Sequence, residues 1–184
     1  STAVIFMSDN GGLSTSEGHP TSNLPLRGGK GWMYEGGIRE PVVVRWPGIT
    51  AAGTRCTAPA VSTDFYPTML EMAGLPLKGE QHVDGVSLVP FLRNPFAKFD
   101  RGPIFFHYPH YANQGGFPAS AIRKGDFKLI QDLEVGYYEL YNLATDKEEH
   151  NNLEQLEAET MEDLSTELDS WRKEVEANPL KNNP

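Results

Sequence analysis

Two apolar runs constrain this chain most. Val4-Ile5-Phe6-Met7 and the segment "PVVVRW" (41–46) are continuous in hydrophobicity and do not alternate. A run of that kind suits a strand covered on both faces, central and parallel in an open α/β sheet, rather than a half-exposed one. The first run, read as a buried strand over residues 2–7, ends in Ser8-Asp9-Asn10-Gly11-Gly12. Ligand sites in open α/β sheets form where loops leave the carboxyl ends of strands, so the polar pair sits where such sites occur. One charged and one neutral oxygen ligand suit Ca²⁺ or Mg²⁺ better than zinc. The same pair could equally serve as an N-cap or an Asx-turn.

The stretch 11–29, rich in Gly and Ser, reads as a long loop, and "PGITAAGT" ends the second strand. A helix is expected from about Thr63 to Ala73, stopped by Gly74 and Pro76. Beyond residue 100 the pattern changes to short β-branched and aromatic runs, "GPIFFHY", "SAIRKGDFKLIQ" and "YYELYNL". These predict a small antiparallel sheet with a hairpin at "RKGD". Leu153, Leu156, Met161, Leu164, Leu168, Trp171 and Val175 then recur at helical spacing and predict one amphipathic helix over about 153–177. The chain therefore divides near residue 95. Residues 1–95 read as part of an α/β core, and 96–184 as a small sheet with a covering helix. A central strand needs more neighbours than the first part supplies, so the chain reads as the C-terminal piece of a larger protein.

Composition narrows the function classes. Thirteen acidic and four basic side chains fall in residues 139–184, which accounts for the whole net charge of −9. An acidic tail repels nucleic acid and anionic membrane. No apolar run approaches the roughly 18 residues that span a bilayer, and no signal peptide is evident in this chain. The single cysteine, Cys56, forms no internal disulfide.

"LRGGKGWMYEGGIREPVVVRWPG" (26–48) places Lys30 between glycines, followed by Glu35-Gly36-Gly37, Arg39 and Pro41. It is not a Walker A loop, because Leu24 and Gly31 stand where that pattern needs Gly and Ser or Thr. Glycines around a lysine let backbone and ammonium approach a bound oxyanion closely. "FFHYPHYANQGGFP" (105–118) gathers His107, Tyr108, His110 and Tyr111 in a loop suited to stacking on a sugar and hydrogen bonding its hydroxyls. His19 is a weaker candidate for contact with substrate, and His82 and His150 read as surface residues.

"SDNGG", "LRGGKGWMYEGGIREP" and "RWPG", with "STDFYPTMLEMAGLP", "DGVSLVPFL", "AIRKGDFKLI" and "ELYNLATDKEEHNNL", resemble the C-terminal portion of the sulfatase family, arylsulfatase-like enzymes of alkaline-phosphatase-like α/β fold. The resemblance implies that Asp9 and Asn10 are metal ligands, usually on Ca²⁺ with Mg²⁺ as the alternative, and that Lys30 binds the sulfate. Glu35 and Arg39 read as a structural pair at a tight bend. The family's nucleophile is a formylglycine made from the first residue of Cys/Ser-x-Pro-x-Arg. Cys56 does not fit, since Pro59 stands three residues on and no arginine follows at the required place. The formylglycine, and the first aspartate pair of the metal site, are therefore expected in an N-terminal part.

The resemblance implies hydrolysis of sulfate esters, on sulfated carbohydrate or aryl sulfate, by a secreted or periplasmic enzyme. The chain alone is expected to bind metal weakly, to turn over nothing and to self-associate through an exposed sheet edge. The competing readings are a phosphatase or phosphonate hydrolase of the same fold, and a non-catalytic carbohydrate-binding module.

Overall fold

The computed structural model describes residues 2–15 and 19–181. It contains β1 (Val4–Met7), α1 (Glu35–Ile38), β2 (Val42–Arg45), α2 (Phe65–Met72), α3 (Val89–Arg93), β3 (Ile104–Tyr108), β4 (Ala119–Lys124), β5 (Phe127–Asp132), β6 (Tyr138–Asn142) and α4 (Ala158–Glu174). The chain forms two compact units, each made of two segments. One comprises residues up to Met7 with Val42–Arg101, and the other Ser8–Pro41 with the chain from Gly102 on.

In the first unit β1 and β2 pair antiparallel, with Val4 opposite Arg45 and Met7 opposite Val42. This corrects the expectation of a buried, parallel strand: Phe6 is 64% and Val43 60% exposed. A continuous apolar run identifies a strand but carries no information on its partner's direction, and no other strand joins this pair among the described residues. The predicted helix forms as a 3₁₀ turn, Ser62–Asp64, leading into α2. Buried Asp64 organises the region. Its carboxylate accepts from the Val61 and Val86 N–H groups and pairs with Arg101. Thr68 extends the link by donating to Asp64 O and accepting from Leu88 N–H.

The second unit is built on an antiparallel meander, β3-β4-β5-β6. The "RKGD" hairpin forms as expected. Lys124 pairs with Phe127, and Gly125 takes the left-handed backbone (φ +58°) that a two-residue loop requires. Alternate side chains give the sheet two faces. Ile122, Leu129 and Leu140 pack on Leu164 and Leu168 of α4, and Phe105 stacks on Trp171 with ring centroids 4.7 Å apart. Ala119, Ala121, Ile130 and Tyr141 pack instead on Tyr34, Trp32 and Phe117. The helix is shorter than the 153–177 expected. Leu153 donates its N–H to Leu140 O and so belongs to the sheet edge, while Leu156 is exposed.

Candidate active site

Three loops of the second unit meet through their backbones. The turn carrying Asp9 and Asn10 is closed by Ser8, whose hydroxyl donates to Asn10 O at 2.9 Å. Gly11 N–H donates to Gly37 O at 3.0 Å. A Cβ on Gly11 would lie 1.9 Å from Gly36 O, a clash that makes glycine obligatory there. Lys30 N–H donates to Gly12 O at 3.2 Å. Asn23 locks the same junction: its Oδ1 accepts from Gly12 N–H, and its Nδ2 donates to the Gly12 and Gly28 carbonyls. The Asp9–Asn10 turn and the Lys30 loop are thus joined as one body.

The third loop, 109–118, abuts Gly31. A Cβ on Gly116 would sit 1.7 Å from Gly31 O, and Gln114 O accepts from both Trp32 Nε1 and Thr15 Oγ1. Tyr108 and His110 are exposed here, their rings in edge contact at 5.2 Å, and Tyr111 is exposed beside them.

The remaining candidates are placed differently. His107 points to the opposite, α4-bearing face of the sheet. Its Nε2–H donates to Asn178 O at 2.7 Å, so its Nδ1 accepts from Ser120 Oγ, also at 2.7 Å. Both ring nitrogens are therefore engaged away from the Lys30 loop. His19 is exposed in the loop closed by the bond from Thr21 N–H to Leu13 O. His82 donates its Nδ1–H to Gly85 O in the first unit, and His150 is exposed.

The electrostatics suit an anion on one loop and a cation on the other. Lys30 is exposed, and its ammonium has no partner among the described residues. Near the metal-type pair, Glu40 keeps one carboxyl oxygen buried and without a hydrogen-bond partner. Burial, reinforced by the negative charge of Asp9, pushes its carboxyl above the usual carboxylate range. The Glu40 and Asp9 carboxyl groups, beside an amide oxygen, are hard oxygen donors of the kind that would suit a hard cation. Among the described residues, however, no group of three or more His, Cys, Asp or Glu could hold a metal by itself. Asp9 and Asn10 would supply part of a ligand set.

Behind these loops lies a buried charge network. Glu35, the first residue of α1, is buried with Lys128 and Glu149. Lys128 Nζ lies 3.1 Å from Glu35 Oε1 and 2.8 Å from Glu149 Oε1. Arg39 and Arg123 stand 3.4 and 3.8 Å from the other Glu35 oxygen, so the expected Glu35–Arg39 pair is present within a larger set. Arg27 lies over the Tyr34 ring at 3.8 Å and donates to Tyr141 Oη. Burial, and after it the Glu139 carboxylate, pushes the Tyr34 and Tyr141 phenols far above the ordinary tyrosine value, which keeps both neutral.

Residues 29–177 match the family described as "N-sulphoglucosamine sulphohydrolase, C-terminal". The chain belongs to the sulfatase family. It is 41% identical over 161 residues to a sulfatase of Formosa agariphila, covering 83% of this chain and 28% of that relative. It is 40% identical over 129 residues to human arylsulfatase A, covering 69% of this chain and 24% of that protein. Among solved structures it resembles one in complex with its substrate D-glucosamine-2-N,6-O-disulfate, with TM-score 0.77 and 28% identity over 98% of this chain and 36% of that one. The chain thus spans about a quarter to a third of the length of these sulfatases and has the fold of their C-terminal portion.

Within this sulfatase portion, sequence reasoning missed Lys128 and Glu149. Lys128 alternates with Leu129 in a strand and reads as solvent-facing, and Glu149 lies in the acidic run "KEEH". Nothing local distinguishes either from a surface charge.

Proposed function

We propose that this chain supplies the sulfate-binding lysine and two metal ligands of a sulfuric ester hydrolase. The observation that carries the reading is the Lys30 ammonium, without a partner among the described residues and carried on a loop that backbone bonds tie to the turn of Asp9 and Asn10. Lys30 would donate to the oxygens of a sulfate ester and offset the charge that grows on them as the S–O bond breaks, acting as a preorganised point charge. Asp9 and Asn10 would hold Ca²⁺, with Mg²⁺ as the alternative. The metal, when bound, supplies further positive charge against the ester sulfate. Formylglycine, the nucleophile of the family, belongs to a part outside this chain. Cys56, exposed in the first unit, lacks the motif from which it is made. The chain by itself is therefore expected to turn over nothing, and exposed Val4, Phe6 and Val43 favour its self-association.

Sulfated carbohydrate is the substrate class we favour. Tyr108, His110 and Tyr111 offer ring faces and an imidazole on the loop beside Gly31, the arrangement that stacks and hydrogen bonds a sugar. The glucosamine disulfate bound by the structural relative points the same way. A secreted or periplasmic location is part of the same proposal. Among the described residues no helix is long and apolar enough to cross a membrane.

Lys30→Ala in the whole enzyme tests the reading. Turnover of a sulfated monosaccharide should fall about 10²–10³-fold, the scale for losing one preorganised charge-stabilising donor. The melting temperature should stay close to wild type, because the side chain is exposed. Hydrolysis of the matching phosphate ester in preference to the sulfate would favour the phosphatase alternative. A parallel loss of folding would mean that Lys30 is structural.

A further inference from the structure

Lys128, Glu35 and Glu149 are buried to 1% exposure or less, in a unit whose remaining core is hydrocarbon and aromatic apart from the hydroxyl of Ser120. Desolvating such charges is expensive, and similar volume could be filled by apolar side chains at no loss of stability. Glu149 carries a further cost. Its φ of +56° is a left-handed conformation that side chains larger than Asn rarely adopt. The contacts made at this expense all lead to the loops of the site. The Glu149 carboxylate accepts from Glu35 N–H at 2.6 Å and from Lys128 Nζ at 2.8 Å, and its carbonyl accepts from Arg27 Nη1 at 3.1 Å. Glu35 opens α1, and Arg27 opens the Lys30 loop. Those two segments are joined by the bond from Gly36 N–H to Arg27 O at 2.8 Å. Gly37 O then receives Gly11 N–H, and Gly12 O receives Lys30 N–H. The bonds run from Glu149 to both sides of the site and close again between Gly12 and Lys30.

We propose that Glu149, supported by Lys128, is a positioning residue: it sets the spacing between the Asp9–Asn10 turn and the Lys30 loop, and touches neither substrate nor metal. Its kinetic consequence rests on the sulfatase reading, while its structural consequence does not. A fixed separation between the anion-binding and cation-binding groups matters because displacements of about 1 Å can cost about 10²-fold in rate.

The test uses Glu149→Gln in the whole protein, with Lys128→Met/Glu149→Gln as a second variant that removes both charges together and so retains the fold. Amide hydrogen exchange at Gly11 and Lys30 is compared with that at Leu129 and Leu140 in β5 and β6, beside kcat and KM for a sulfate ester. The expected result in both variants is exchange at Gly11 and Lys30 faster by about tenfold or more, with Leu129 and Leu140 unchanged. With it, kcat should fall about 10–10²-fold while KM stays within about threefold. Unchanged exchange at Gly11 and Lys30 overturns the proposal. So does acceleration at all four amides together, with activity tracking the folded fraction. If the wild-type protein hydrolyses no sulfate ester, the functional reading fails, and the exchange pattern alone upholds or overturns the positioning role.

Discussion

The two faces of the β3–β6 sheet are made by the same strands and do different work. On one face Ile122, Leu129 and Leu140 meet the leucines of α4. On the other, one residue along each strand, Arg123, Lys128 and Glu139 or Tyr141 meet Glu35, Glu149 and Arg27. The hydrocarbon face is non-directional: it gains free energy from area removed from water and tolerates small shifts. The charges on the other face add little net free energy to the packing of Ala119, Ala121, Ile130 and Tyr141 beside them, but their interactions are directional, and each accepts only a narrow set of partner positions. The α4 face thus gives stability without direction, and the face that carries the loops of the site adds geometric definition to a packed cluster of its own.

This contrast predicts different failures. The largest effect is expected for Lys128→Met alone, which leaves Glu35 and Glu149 buried together without the ammonium between them. Breaking a buried pair on one side costs about 3–5 kcal/mol. Urea unfolding of Lys128→Met and of the paired Lys128→Met/Glu149→Gln variant measures this directly, and the double variant should be the more stable of the two. If the single variant is as stable as wild type, the charged face contributes no electrostatic constraint and the contrast collapses. Leu168→Ala on the other face should cost about 2–4 kcal/mol through lost burial and the cavity left behind. It should do so without altering kcat per folded molecule, because α4 packs on the strands of the sheet, on the face opposite Lys128. A fall in kcat at full folding would show that the two faces are coupled.

The hydrocarbon face was also the legible one. Short β-branched and aromatic runs and the Arg123-Lys124-Gly125-Asp126 turn announce the hairpin, and the spacing of Met161, Leu164, Leu168 and Trp171 announces the helix. The charged face was hidden, because alternation assigns Lys128 to the side opposite Leu129 without saying what covers that side. The cover is α1 and the Lys30 loop, about ninety residues earlier in the chain. The direction of the β1–β2 pairing was illegible for a related reason: both runs are apolar throughout, and no alternation marks a partner. Asp9, Asn10 and Lys30 stood out by residue type and flanking glycines, and the resemblance supplied their roles. What joins them is a set of backbone bonds through Gly11, Gly12 and Gly37, made possible by side chains that are missing and so leave no positive pattern to read.

The smallest expected effect sharpens the comparison, because it concerns the turn that holds Glu149 in place. Asp146 accepts from His150 N–H and Asn151 N–H at 2.8–3.1 Å and so organises the bend on which Glu149 adopts its left-handed backbone. Partial burial pushes the Asp146 carboxyl up, but those two amides outweigh it and hold the group below its ordinary value. A carboxyl depressed in the folded state stabilises fully above its unfolded value, near 3.8, and loses that contribution as pH falls through the folded value. Glu149 has the opposite sign. Burial, only partly offset by Lys128, raises its carboxyl, so its ionisation weakens the fold as pH rises from the ordinary glutamate range through the raised value. Asp146→Ala should therefore cost roughly 0.5–1 kcal/mol at pH 7, after allowance for solvent screening. The cost should shrink below about pH 4, where the wild-type carboxylate is lost as well. Glu149→Gln should instead remove a slope above pH 4.5, the ordinary glutamate value, and flatten the stability curve there. Thermal melts of both variants from pH 3 to pH 8 give the two slopes side by side. If the slopes share a sign, the turn and its buried glutamate are stabilised by the same interactions, and the division between an ionised anchor at the surface and a desolvated one beneath it does not hold.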